Sequence, residues 1–86
     1  MRKPPKFKFV FENNRVVSGN TMVEMADKYF ENKDFYDQYS YCDYIYNYKL
    51  EEYERCPVEE YEEFAILYEK RELIIKKNKA IAEDFV

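Results

Sequence analysis

Carboxylates and phenols are the groups of this chain with chemistry to offer, and they are concentrated in one stretch. Between Glu24 and Glu63 stand thirteen acids against four bases, a net of −9, with nine of the ten tyrosines. Carboxylates attract cations and accept hydrogen bonds, while phenols donate them and present a flat apolar ring. The companions that turn such groups into a catalytic site are missing. There is no histidine, which removes the commonest general base and the commonest metal ligand. A single glycine leaves no phosphate-cradling loop of the G-x-x-x-x-G-K or G-x-G-x-x-G kind. Cys42 and Cys56 lie in acidic surroundings, which disfavour the reactive thiolate. The expectation is a non-enzymatic protein with no catalytic residue and no cofactor.

No metal site is expected either. Two cysteines without histidines do not complete a tetrahedral zinc site. The run Glu59-Glu60-Tyr61-Glu62-Glu63 lacks the Asp-rich, Gly-hinged pattern of a calcium loop, and acids there suit the positive end of a helix dipole.

Binding is a better use of the acidic stretch. A small fold cannot bury so many carboxylates, because an unpaired buried charge costs several kcal/mol. Some tyrosines must then share a surface with the acids. Tyr39, Tyr41, Tyr44 and Tyr48 beside Asp37 and Asp43, extended by Glu51, Glu52, Glu59, Glu60, Glu62 and Glu63, form the candidate partner-binding face. Tyr29, Tyr46, Tyr61 and Tyr68 are assigned to packing. Carboxylates placed where phosphates would sit fit the basic groove of a nucleic-acid-binding protein, and opposite charge speeds encounter. In size and charge the chain is similar to small acidic proteins encoded by bacteriophages, including some anti-CRISPR and other anti-defence inhibitors. The functional expectation is an inhibitor of that character, blocking such a groove. Direct nucleic-acid binding is not expected: Arg2, Lys3, Lys6 and Lys8 reach few phosphates, and the −9 segment repels the rest.

The alternative is a helical self-assembly or adaptor module. Ile66-Leu67-Tyr68, Leu73-Ile74-Ile75 and Ala80-Ile81-Ala82 recur at intervals of seven. Three adjacent apolar positions per heptad span about 200° of a helix, wider than one core-facing stripe. Leu67, Ile74 and Ile81 are the candidate self-association residues, giving a homodimer.

The elements that must hold these faces follow from pattern. Phe7, Phe9 and Phe11 alternate with Lys6, Lys8 and Val10, Asn13-Asn14 suits a tight turn, and Arg15 to Ser18 returns. This predicts a β-hairpin over about 6–18, whose Phe face must pack on helices because an isolated ribbon is marginal in water. Thr21-Met22-Val23-Glu24 is a capping box opening a helix over about 21–32. From Phe35 to Arg55 both periods are present; the length of the run without glycine or proline predicts a second helix over 35–55. Pro57 with Glu59 and Glu60 starts a third, over about 57–84 and roughly 42 Å long. The expected fold is α+β, mainly α, a hairpin packed on three helices.

Eighty-six residues allow a single domain over 1–86, with Pro4-Pro5 making residues 1–5 a flexible basic arm. Lys6 and Lys8 interrupt the only candidate for a signal or membrane segment, and two cysteines are too few for a secreted disulfide framework. Reduced thiols and a cytoplasmic location are expected, in the host cytoplasm if the gene is a phage's, with no membrane contact.

Overall fold

The computed structural model describes residues 3–84, with side chains up to Lys79. Strand β1 (Phe7–Phe11) runs antiparallel to β2 (Val16–Gly19), pairing Phe7 with Gly19 and Phe9 with Val17. Their turn uses the two asparagines. Asn14 takes a positive φ of 68°, and the Asn13 side chain accepts from the Arg15 N–H at 3.1 Å. Gly19 closes β2 where a Cβ would come within 3.1 Å of the Glu24 side chain.

Helix α1 (Met22–Glu31) opens on the capping box. The Glu24 N–H donates to the Thr21 hydroxyl at 3.1 Å, and the Glu24 carboxylate reaches back to the Asn20 N–H at 3.0 Å. That bond, first, and then Lys28 hold the Glu24 carboxyl below its usual range. Met22, Met25, Ala26 and Tyr29 recur at helical spacing and are all buried.

The expected mainly α fold is overturned at residues 35–55. In place of one helix there is a single turn, α2 (Lys33–Tyr36), then β3 (Tyr41–Asn47) and β4 (Glu52–Arg55). The hairpin is thus half of a four-stranded antiparallel sheet in the order β2-β1-β3-β4. Two physical reasons decide for strands. A two-stranded ribbon leaves the second edge of β1 with unpaired N–H and C=O groups, and β3 satisfies them, pairing Phe7 with Ile45 and Phe11 with Tyr41. The turn that length and missing glycine seemed to forbid is built by Asn47 instead. Its side chain accepts from the Lys49 and Leu50 N–H groups at 3.0 and 3.1 Å, and Glu51 takes a φ of 54°. Edge strand β4 carries Glu52, Glu54 and Arg55, charges that discourage further strand pairing.

After Cys56-Pro57 the chain enters α3 (Val58–Asp84), the longest element. Together α1 and α3 cover one face of the sheet. Phe64 of α3 is 2% exposed and meets Phe9 edge-on at 4.8 Å, with Phe7, Phe11, Val17, Met22, Met25 and Tyr29 completing the core. Of the expected arm, residues 1 and 2 lie outside the described residues. Pro5 is tied down, its carbonyl accepting from the Tyr53 hydroxyl at 2.7 Å.

Candidate interaction faces

Alternation along β3 sorts its side chains between two surfaces. Tyr41, Asp43 and Ile45 fall on the helix-covered side with Phe7, Phe9 and Phe11, while Cys42, Tyr44 and Tyr46 fall on the open side with Lys8 and Val10. Across to β4 the register sets Tyr44 beside Arg55 and Tyr46 beside Tyr53, which leaves Glu52 and Glu54 on the other side. The open face is therefore cationic and aromatic. The Lys8 ammonium stands 4.0 Å from the Tyr53 ring centre, and the Arg55 guanidinium stands 5.9 Å from that of Tyr44. Tyr46 packs edge-on against both Tyr53 at 5.0 Å and Tyr48 at 4.9 Å.

The tyrosine cluster read from sequence is accordingly divided among three places. Tyr41 stacks on Phe9 at 4.7 Å between ring centres and shares a hydrogen bond with Tyr61. Tyr39 is half-buried against Phe35 at 5.4 Å. Tyr44 and Tyr48 belong to the open face, away from Asp37 and Asp43.

Asp37 is committed within the fold. One of its oxygens accepts from the Tyr29 hydroxyl and, at 2.8 Å, from the Tyr68 hydroxyl; the other accepts from Lys33 at 2.6 Å. Desolvation pushes the Asp37 carboxyl upward, but these three donors outweigh it and hold the group below the usual carboxylate range. This carboxylate joins α1, α2 and α3 at one point.

The remaining acids lie on the β3–β4 hairpin and in the first turns of α3. Cys56 is buried where β4 meets α3, and desolvation first, then the charges of Asp43 and Glu60, push its thiol up to about 11. Both acids therefore act on one spot, and Asp43 is also 3.8 Å from Arg55. Glu51, Glu52, Glu59, Glu62 and Glu63 are exposed and Glu60 half-buried. None of these six has a cation within ion-pair distance among the described residues. Glu54, missed by sequence reasoning, is exposed on the same side of β4 as Glu52; the two-residue step from Glu52 was its signal, legible only once β4 is read as a strand. Tyr53 and Arg55 on the open face were missed for the same reason.

Of the self-association candidates, Leu67 is half-buried against the core, Ile74 is 58% exposed, and the Ile81 side chain lies outside the described residues. Along α3, Ile66, Leu73 and Ile75 are 52%, 59% and 37% exposed.

Chemically the described groups are suited to contact. Burial raises the phenols of Tyr29 and Tyr41 far above their ordinary value and that of Tyr68 to about 12, so they remain protonated donors at neutral pH. Cys42 and Cys56 are both free thiols, the first exposed. Among the described residues no three His, Cys, Asp or Glu side chains converge on a metal position, and no helix is long and apolar enough to cross a membrane. No protein-family model, curated protein or solved structure matches the chain.

Proposed function

We propose that the chain is a non-enzymatic inhibitor that seats an acidic lobe in the basic, nucleic-acid-binding groove of a host protein, in the manner of phage anti-defence proteins. Its contact residues are Glu51, Glu52 and Glu54 on the β3–β4 hairpin and Glu59 and Glu60 at the start of α3. The observation that carries this reading is that these carboxylates have no ion-pair partner among the described residues. Uncompensated charge of one sign attracts the opposite sign. Tyr44 and Tyr48, on the opposite side of the sheet, are not part of this lobe.

Affinity capture from a bacterial lysate at low and high salt, followed by competition against the captured protein's own nucleic acid, tests the reading. The chain should displace that nucleic acid, and Glu52→Lys with Glu59→Lys should weaken displacement roughly tenfold or more without unfolding the protein. Displacement that survives this double reversal would remove the acidic lobe from the mechanism.

A second reading, the helical self-assembly module, is favoured by one feature: Leu73, Ile74 and Ile75 of α3 are exposed. Burying them offers roughly 25 cal/mol per Å².

A further inference from the structure

Helix α3 is split by charge along its length. From Val58 to Glu69 it carries Glu59, Glu60, Glu62, Glu63 and Glu69 and no base, whereas from Lys70 to Lys79 it carries Lys70, Arg71, Lys76, Lys77 and Lys79 with only Glu72 against them, before Glu83 and Asp84 at its end. Its inner face is fixed to the body. Phe64 is buried, Tyr68 donates to Asp37, Arg71 pairs with Asp27 at 2.6 Å and Glu72 lies 3.9 Å from Lys33. At about 100° per residue, the side of the helix opposite these anchors is lined by Glu62, Ile66, Glu69, Lys70, Leu73 and Lys77. All six are exposed, Ile66 and Leu73 by more than half.

We infer that this outer face pairs with the same face of a second copy, antiparallel, about a two-fold axis between Glu69 and Lys70. The inference rests on the self-assembly reading and adds its orientation and register. Residues symmetric about that axis then meet: Ile66 faces Leu73 of the second copy, Glu69 faces Lys70, and Glu62 faces Lys77. Each contact occurs twice, as an isologous interface requires. A parallel arrangement would lay acidic half on acidic half and basic on basic, which is destabilising. Each body sits on the inner side of its own helix, away from the paired faces. Glu51, Glu52 and Glu54 remain outside the interface, so the acidic lobe stays accessible in the dimer. With one apolar pair at its centre and ion pairs around it, the dimer is weak and salt-sensitive.

Sedimentation equilibrium of the full chain over a wide concentration range tests this. The expected result is a monomer–dimer equilibrium that weakens roughly tenfold or more from low to high salt. Glu62→Lys with Glu69→Lys should abolish dimerisation, and so should Lys70→Glu with Lys77→Glu, while circular dichroism shows both variants folded. An equimolar mixture of the two should dimerise again, because reversal on one chain is met by reversal on the other; a parallel pair gives no such rescue. Monomer at every concentration would overturn both self-assembly and register. A wild-type dimer that is indifferent to the reversals, or reversals not rescued by mixing, would overturn the register and leave association through another surface.

Discussion

The Tyr41 hydroxyl lies 2.6 Å from the Tyr61 hydroxyl, tying the central strand β3 to the first turns of α3. Both rings also border Phe64, so the bond closes the sheet–helix seam. Replacing either tyrosine by phenylalanine should cost about 1 kcal/mol, since the phenol left behind keeps its desolvation and loses its partner. The double variant Tyr41→Phe/Tyr61→Phe should cost less than the sum of the two. Thermal unfolding of the four proteins measures that coupling; simple additivity would mean that the two hydroxyls are satisfied by water.

Asp37 makes stability depend on acid. Its carboxyl is depressed in the folded chain, so its contribution is present above the unfolded carboxylate value of about 3.9 and is lost as pH falls through the lower folded value. Asp37→Asn should lower stability at neutral pH by about 1–2 kcal/mol, a shift of several degrees in Tm, and should flatten the fall of Tm below about pH 4. An unchanged acid limb in the variant would show that other carboxylates control it.

The two thiols should differ sharply in reactivity. Cys42 is exposed on the open sheet face, whereas Cys56 is buried with its thiol raised to about 11. A thiol reagent at about pH 8 should modify Cys42 at least roughly a hundredfold faster, and Cys56 only as the protein unfolds or near its raised value. Comparable rates at both positions would mean that the β4–α3 junction opens freely.

Along α3, proximal and distal substitutions should behave differently. Phe64→Ala removes a ring that packs on Phe9, Tyr29 and Tyr41, and should cost about 3–5 kcal/mol, a large fraction of what a domain of this size possesses. Ile74→Glu changes a side chain that is 58% exposed and should alter monomer stability by no more than about 0.5 kcal/mol. Urea unfolding of both variants decides; a large loss from Ile74→Glu at monomeric concentrations would place that residue against its own chain.

Several elements were legible because their causes are local. Alternating phenylalanines gave β1, Asn13-Asn14 the turn, Thr21 with Glu24 the start of α1, and Pro57 with its following acids the start of α3; in each case residues a few positions apart supply the deciding force. Residues 35–55 were not legible, because the force that decides them is remote. Tyrosine and isoleucine at both periods left the segment undetermined, and the unpaired edge of β1, some thirty residues earlier, selected the strand. Fixing β3 as a strand fixed the surfaces as well. Along a helix, Asp43 would have shared a face with Tyr39 and Tyr46; along a strand, successive side chains point to opposite faces, so the sheet turned Asp43 toward the helices and Tyr44 and Tyr46 toward the open face with Lys8. Composition by itself determined that this protein carries a surplus of carboxylates and phenols and no histidine. Which of those groups share a surface, and which are tied up by donors of their own chain as Asp37 is, was decided only when the backbone hydrogen bonds of β1 found their partner.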